Sequence, residues 1–435
     1  MLSESDTEDN LFFRGMSAVP GTFPRNRIPE PFRTDPPMIL NGNAPLADRM
    51  RLYRDGLLED TCRFWFPRCP DRKHGGYHSA FDRRGNLIDT DKSVWAQGRI
   101  VWMLATLYNF VEPRETFLED ARLGLDFIER HCFDTDGRMF FTVTQEGAPL
   151  RKRRYAYSES FAAIAHAAHA RATGSAFSRD RAHRLFDHFT DWNFTPGRMP
   201  PKYTDTRPAI GIGPRMITIA TAQELRLNLG DDAPFNDWID RCIGEIERFF
   251  VKDDLQAVME IVTPEGRIID HFEGRQLNPG HAIEAAWFIM HEGRLRGIAP
   301  YIRLGLRMLD FMWRRGWDEE HGGLFHFRDL HGGPVQEYWH DMKFWWPHNE
   351  AIIATLLAWA LTKNPKYARW YQQAHDWAYA HFPDTRHGEW YGYLHRDGTL
   401  STDLKGNLWK SFFHLPRMQF YCAGLLGEEL SRSNS

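Results

Sequence analysis

The sequence predicts an all-α protein, an (α/α)6 barrel that carries short β-hairpins in the loops at its pocket end. Two kinds of helical pattern alternate along the chain. Residues 116–132 and 235–250 place apolar side chains on one face and charged ones opposite, which is typical of helices with one buried stripe. Residues 93–109, 281–290 and 350–361 are apolar nearly all round, as expected of helices that are covered on every side.

The buried helices also recur at nearly constant spacing. Their starts lie 63, 61, 62, 65 and 62 residues apart, at Lys92, Tyr155, Met216, Asn278, Lys343 and Lys405. A repeat of this length, with one buried and one amphipathic helix per unit, indicates helical hairpins. An open array would expose its terminal units, whereas six hairpins closed in a ring bury every inner helix. The closed barrel is therefore favoured, with its pocket where the loops enter the inner helices.

The N-terminal segment has a different character. Residues 1–45 are rich in Pro, Ser and charge and show no period, which predicts an extended or partly disordered arm. Residues 46–430 are predicted to form the barrel as a single domain.

The loops before the buried helices repeat a pattern of their own. Residues 74–95, 321–346 and 387–409 share a Gly, an aromatic-rich short strand, an Asp/Gly turn and a Lys before a tryptophan-containing helix start. Such turns between alternating aromatic residues predict hairpins.

Composition excludes several classes of function. The chain has 435 residues, is 42% hydrophobic and carries a formal net charge of −4, so no basic stripe for nucleic acid is present. No run approaches the roughly 20 apolar residues of a membrane helix, and the N-terminus lacks a signal core. Five cysteines without a CxxC motif fit reduced thiols. We therefore expect a cytoplasmic protein without nucleic-acid or membrane partners.

Residues 271–290 set a charged loop against the start of a buried helix, and His281 and Glu284 stand at that junction. Residues three apart share a helix face, so we expect the Glu284 carboxylate to hold the His281 imidazole. His281 is the first candidate catalytic acid/base.

The starts of the other buried helices add further polar groups. Trp95 and Arg99 lie one turn apart in the first, and His414 and Arg417 lie at the start of the last. Tryptophan faces beside carboxylates and arginines are typical of a carbohydrate site, because sugar C–H faces pack on rings while hydroxyls need polar partners. Trp95 is thus a candidate substrate-binding residue.

The available groups favour proton transfer over hydrolysis. Glycosidases need two carboxylates flanking the bond, and no such pair is evident. Histidine takes and gives a proton at neutral pH, so two histidines facing an open-chain sugar could epimerise C2. The enolate oxygen needs a fixed positive group, which Arg99 or Arg417 could supply.

Several segments resemble those of the N-acylglucosamine 2-epimerase family, namely RQLNPGHAIEAAWF, MKFWWPHNEAIIATLLA, KGNLWKSFFHLPRMQ, KSVWAQGRIVWM and YAYSESFAAIA. The likeness extends over about residues 50–425. It implies an (α/α)6 barrel, with His281 and His414 as the acid/base pair, Arg99 as the enolate-stabilising arginine and Glu284 as the partner of the first histidine. It also implies a substrate-binding set of Tyr157, Asn278, Trp346, Glu350 and Arg417.

The resemblance further implies interconversion of N-acylglucosamine and N-acylmannosamine. Epimerases of cellobiose or mannose and aldose–ketose isomerases are alternatives in the same family; the isomerases add a histidine on the third inner helix, which reads MITIATAQEL here. A glycoside hydrolase on this barrel and a non-enzymatic binding protein are alternatives of another class.

No cofactor is expected to be required. Without HExxH or another tight ligand spacing, no metal site is predicted. The resemblance implies that ATP can act as an allosteric activator, and no GxxxxGK[ST] loop is present. A homodimer is one of the oligomeric states left open.

Overall fold

The computed structural model describes residue 40 and residues 42–66, 68–230 and 233–433. The predicted arm lies almost wholly outside these residues. In the described part of the chain the first helix begins at Asn43, slightly before the predicted domain boundary at 46.

Within the described residues, twelve longer helices form two concentric rings, which confirms the (α/α)6 barrel. The inner helices are α3 (Val94–Phe110), α5 (Tyr157–Thr173), α7 (Gly213–Leu229), α10 (Pro279–Arg296), α12 (Trp345–Thr362) and α14 (His414–Ser433). The outer helices are α1 (Asn43–Asp55), α4 (Glu115–His131), α6 (Ala176–Phe194), α8 (Ala233–Glu245), α11 (Ala299–Gly316) and α13 (Pro365–His381). Short pieces complete the set: α2 (Cys62–Trp65), α9 (Phe272–Arg275) and π-helical turns at Gly56–Thr61 and Ile246–Phe250.

Helix α1 closes the ring, because it serves as the outer helix of the last repeat. It packs against α14, and its Tyr53 hydroxyl lies 2.7 Å from the Tyr371 hydroxyl of α13. In the following turn the Thr61 hydroxyl donates to Oε1 of Gln419 at 3.0 Å. The start of the barrel therefore covers its end, and no inner helix is left open.

Short antiparallel strands connect neighbouring repeats at one end of the barrel. They are β1 (Ala80–Phe81), β2 (Leu87–Asp89), β3 (Lys92–Ser93), β4 (Thr142–Val143), β5 (Pro149–Arg151), β6 (Ile210–Gly211), β7 (Val251–Lys252), β8 (Ala257–Val258), β9 (Ile261–Val262), β10 (Gln276–Leu277), β11 (Arg328–Asp329), β12 (Lys343–Phe344), β13 (Tyr393–Leu394) and β14 (Leu400–Thr402). The strand before an inner helix pairs with a loop strand of the next repeat in β3–β4, β6–β9, β10–β11 and β12–β13. A bridge between Phe81 and Gly406 links the last repeat to the first.

The predicted hairpins are partly confirmed. Local hairpins form in residues 74–95, as β1–β2, and in residues 387–409, as β13–β14. The hairpin predicted in residues 321–346 is wrong, because β11 and β12 pair with strands of different neighbours. Ring closure gives each loop a partner in the next repeat, which competes with local pairing.

The repeated lysine before an inner helix has a structural role. Lys92, Lys343 and Lys405 are fully buried. Each ammonium pairs with an aspartate of the preceding loop, at 2.8 Å to Asp71, 3.0 Å to Asp318 and 3.2 Å to Asp384. A buried ammonium is tolerated only when it is paired, so these three bridges fix the loops that surround the pocket.

The helix patterns agree with the two expected types. Inner helices such as α12 are buried over most of their length, whereas outer helices such as α4 bury one face. No helix in the described part of the chain is long and apolar enough to cross a membrane.

Candidate active site

A cavity of about 1270 Å³ opens at the N-terminal ends of the inner helices. Every inner helix contributes to its wall, as the repeat pattern predicted. The lining includes Trp95 and Arg99 of α3, Tyr157 and Phe161 of α5, Ile217 and Ala220 of α7, His281 and Glu284 of α10, Trp345 and Trp346 of α12, and His414 and Arg417 of α14.

His281 is held in the first turn of α10 by local sequence. Asn278 is the N-cap, and its Oδ1 accepts a hydrogen bond from the His281 backbone N–H at 3.1 Å. Pro279 follows at the first helical position, where its missing N–H costs nothing. Asn278 lines the cavity as predicted, although its side-chain oxygen Oδ1 is already used in the helix cap.

The carboxylate that holds His281 is Glu260, which lies in the turn between β8 and β9. Nδ1 of His281 donates to Oε1 of Glu260 at 3.0 Å and lies 3.2 Å from Oε2. Burial disfavours the charged imidazolium, yet Glu260, assisted by the charge of Glu284, raises the pKa of His281 above its ordinary value. The protonated form of His281 is therefore favoured relative to that of a free imidazole.

The predicted hydrogen bond between Glu284 and His281 is wrong. Oε1 of Glu284 instead accepts a hydrogen bond from Nη2 of Arg417 at 2.6 Å. A permanently charged guanidinium offers a stronger partner than an imidazole, and it reaches Glu284 from α14 across the barrel. Helix spacing places Glu284 near His281, but it does not choose between competing partners.

His414 is the first residue of α14, and its partner is Glu350. Its Nδ1 lies 2.8 Å from Oε1 of Glu350, and a carboxylate can only accept, so Nδ1 carries the proton. Burial and the nearby charge of Arg417 lower the pKa of His414 well below its ordinary value. His414 is thus neutral, and its Nε2 presents a lone pair.

Glu350 does not line the cavity, contrary to the prediction. Its side chain is fully buried, and Oε1 accepts from Nη2 of Arg417 at 2.6 Å as well as from His414. Oε2 accepts from the Trp287 indole N–H at 2.8 Å. Both oxygens are used, so Glu350 acts as the support of His414. Arg417 lines the cavity as predicted, but its Nη2 is shared between Glu284 and Glu350.

Arg99 is a half-buried cation surrounded by rings. Its Cζ lies 4.2 Å from the ring centroid of Phe161, 4.5 Å from that of Phe413 and 5.3 Å from that of Trp95. Burial and the repulsion of Arg417 lower the pKa of Arg99 to about 9, which leaves it charged at neutral pH. Among the described residues no carboxylate forms an ion pair with it. A developing anion in the cavity would find this charge unneutralised.

Tryptophan and tyrosine side chains complete the wall. The Trp346 ring lies 5.2 Å from the His281 ring and 6.0 Å from the His414 ring, so one indole touches both candidate acid/base groups. Trp95 packs against Tyr157 at 5.9 Å. Trp346, Trp95 and Tyr157 therefore lie where they were predicted.

Several ionisable groups of the cavity were not predicted from the sequence, and Glu260, Glu224 and His326 are among them. Glu260 follows a short strand in a loop without a motif, and only the adjacent apolar pattern marks it. Glu224 of α7 accepts from the Trp102 indole N–H at 2.9 Å, and burial raises its pKa. His326 lies in the cavity wall, and burial together with the charge of His281 lowers its pKa to about 3.

One group of described residues has the spacing of a metal site, namely Glu284, Glu350 and His414, whose ligand atoms lie within 4.8 Å of one another. Nη2 of Arg417 contacts both carboxylates. The residues fit a metal poorly, because a guanidinium already supplies the positive charge between them.

The fold and the site together define a carbohydrate-active enzyme: an (α/α)6 barrel whose tryptophan-walled cavity holds two histidines with opposite proton affinities. Residues 75–417 match the family of N-acylglucosamine 2-epimerase (GlcNAc 2-epimerase), and the chain belongs to this family. It is accordingly an isomerase of the carbohydrate epimerase type.

The chain is similar to curated relatives and to solved structures. The chain is 33% identical over 410 residues to N-acylglucosamine 2-epimerase of Bos taurus, covering 88% of this chain and 94% of the relative. It is 22% identical over 382 residues to cellobiose 2-epimerase of Bacteroides fragilis, covering 84% and 95%. The solved cellobiose 2-epimerase of Bacillus thermoamylovorans superposes with a TM-score of 0.76 at 20% identity, covering 87% of this chain and 99% of that one. At this identity the superposition supports the fold alone.

Proposed function

We propose that this protein interconverts N-acylglucosamine and N-acylmannosamine by moving a proton at C2 of the open-chain sugar. The observation that carries the proposal is the placement of two histidines, whose pKa values are shifted in opposite directions, against one indole and beside Arg99, with which no carboxylate of the described residues forms an ion pair. The similarity to the bovine N-acylglucosamine 2-epimerase supports the choice of sugar.

In the proposed first step, Nε2 of His414 takes the C2 proton. The electron pair of the C2–H bond forms the C1–C2 double bond, and the C1 carbonyl electrons move to O1 to give an enolate. Arg99 stabilises the charge on O1, since a fixed cation in a buried site needs no reorganisation. Glu350 keeps His414 in the tautomer that has Nε2 free.

In the second step, Nε2 of His281 returns a proton to the opposite face of C2, and the enolate electrons restore the carbonyl. His281 is prepared for this role because Glu260 favours its protonated form. In the reverse direction the two histidines exchange roles. The substrate surface is covered by Trp95, Tyr157 and Trp346, with Asn278 at the rim.

Two imidazoles and one guanidinium can carry both protons and the enolate charge, so the proposed chemistry calls for no metal or other cofactor. ATP as an allosteric activator and assembly as a homodimer are extensions that rest on the family resemblance. The five cysteines are all buried and free, which supports a reducing compartment such as the cytoplasm.

The test is an NMR assay in deuterated water with N-acetylglucosamine, N-acetylmannosamine, mannose and cellobiose in parallel. We expect deuterium at C2 of both N-acetyl sugars and formation of the other epimer from each. Exchange on cellobiose or mannose alone would favour the alternative 2-epimerase activity. A ketose product would indicate an isomerase, and reducing ends released from a polysaccharide would indicate a hydrolase; either result would contradict the proposal.

A further inference from the structure

One part of the cavity wall is lined by four apolar side chains from neighbouring helices. Helices α10, α12 and α14 contribute the histidines, Glu284 and Arg417. Helices α5 and α7, which pack side by side, contribute Phe161, Ile164, Ile217 and Ala220, and α7 also contributes polar residues such as Thr221 and Glu224. We call these four residues the apolar sector.

Helix spacing explains why the sector is continuous. Phe161 and Ile164 are three residues apart on α5, and Ile217 and Ala220 are three apart on α7, so each pair shares one helix face. Phe161 and Ile164 are 5% and 6% exposed, and Ile217 and Ala220 are half-buried at the cavity surface. Ala220 has the smallest of the four side chains.

Phe161 is the member of the apolar sector that adjoins the reacting groups. The Phe161 ring lies 4.2 Å from Cζ of Arg99, and 6.0 Å from the ring of Phe413, the residue before His414. In the proposed reaction C2 lies between the histidines and O1 lies at Arg99. The substituent carried by C2 is therefore within reach of this sector.

The chemistry of the sector suits an alkyl group better than a hydroxyl. The four side chains offer no hydrogen bond. The neighbouring Thr221 hydroxyl donates to the Ile217 carbonyl oxygen of its own helix at 2.7 Å, and Oε2 of Glu224, one turn beyond Ala220, accepts the Trp102 indole N–H at 2.9 Å. A 2-hydroxyl facing this surface would lose hydrogen bonds to water without replacement. An acyl methyl group would instead remove apolar surface from water.

We infer that Phe161, Ile164, Ile217 and Ala220 form the pocket for the alkyl end of the 2-acylamino group and so determine selectivity for N-acyl sugars. This inference rests on the proposed function and adds the residues that recognise the acyl chain. The size of the pocket then sets the acyl length that the enzyme accepts.

The experiment compares C2 exchange of N-formyl-, N-acetyl- and N-butanoylglucosamine by the wild-type protein and by variants. Ile164→Ala and Ile217→Ala enlarge the pocket, and each is expected to raise kcat/KM for the butanoyl sugar relative to the acetyl sugar by about tenfold. Ala220→Leu fills the pocket and is expected to lower kcat/KM for the acetyl sugar relative to the formyl sugar by about tenfold. A ratio of two substrates on one preparation does not depend on the fraction of protein that is folded.

Ile210→Ala is the matched control, because Ile210 lines the same cavity outside the apolar sector. Its ratios are expected to equal those of the wild type. Ratios unchanged in Ile164→Ala and Ile217→Ala, or shifted equally by Ile210→Ala, would overturn the inference while leaving the epimerase proposal intact. If the wild type exchanges none of the three sugars at C2, the proposed function itself fails.

Discussion

The two histidines of the cavity lie against the same indole, yet the pKa of His281 is raised above the ordinary value for histidine and the pKa of His414 is lowered below it. The His281 side chain is 34% exposed to the cavity, and its partner Glu260 is a loop carboxylate with 22% of its surface exposed. The His414 side chain is 10% exposed, and its partner Glu350 is fully buried and already bound to Arg417. A carboxylate raises the pKa of an imidazole only when its charge is not neutralised by another cation.

This difference gives the two sides of the cavity different roles at rest. The Glu260 side favours a proton on His281, and the Glu350 side favours a lone pair on Nε2 of His414. An epimerase needs one of each in every turnover, so the free enzyme is biased towards the protonation state that the reaction requires. The following variants test whether the two carboxylates produce this asymmetry.

The largest effects are expected from the histidines themselves. His281→Asn and His414→Asn are each expected to lower kcat for epimerisation by about 10³-fold, because each removes one of the two proton-transfer groups. Each variant should retain exchange of the C2 proton from only one epimer, and the two variants should retain opposite epimers. NMR in deuterated water measures both quantities. His326→Asn is the control within the same cavity, and full epimerase activity in either catalytic variant would contradict the two-histidine scheme.

Glu350→Gln is expected to have the next largest effect, a loss of about 100-fold in kcat with little change in KM. A glutamine can present its N–H₂ to Nδ1 of His414 and so favour the wrong tautomer. Steady-state kinetics would measure the loss. Glu292→Gln serves as the matched control. Glu292 is another fully buried carboxylate; it lies outside the cavity lining, and its Oε2 is 2.7 Å from Nη2 of Arg226. Equal kinetic losses in the two variants would indicate a general effect of breaking a buried ion pair.

Glu260→Gln is expected to change chiefly the pH dependence of kcat/KM. In the direction in which His414 takes the proton, His281 must be protonated, so kcat/KM falls as the pH rises through the raised pKa of His281. On the acid side activity falls only well below pH 6.5, where His414 becomes protonated. Removing the Glu260 charge lowers the pKa of His281 and moves the alkaline limb to lower pH, with about a tenfold loss at pH 8. An unmoved alkaline limb would contradict the role of Glu260.

Glu284→Gln is expected to move the alkaline limb least. Glu284 raises the pKa of His281 only through its charge, and its hydrogen bond goes to Arg417. The shift should be smaller than that of Glu260→Gln in the same pH titration. A shift larger than that of Glu260→Gln would indicate that Glu284 is the principal partner of His281, as the helix spacing predicted.

Much of the site was predictable because it follows the repeat. His281, His414, Arg99 and Trp346 stand at equivalent positions near inner-helix starts, and a closed ring of such starts has one common cavity. Glu260 was missed because it belongs to a loop between two strands, which meets α10 only after the chain has folded. The role of Glu350 was mistaken because its sequence position matches that of cavity-lining residues, whereas its carboxylate lies behind them.

The sequence by itself determined the helix types, the number of repeats and the residues carried at each helix start, because periodicity and burial are local properties of the chain. Tertiary structure alone decided which carboxylate pairs with which histidine or arginine. Arg417 reaches Glu284 and Glu350 from a third helix, and this leaves Glu260 to hold His281. Hydrogen-bond partners are chosen by competition among groups brought together from distant parts of the chain, so the opposite proton affinities of His281 and His414 belong to the folded barrel and not to either helix.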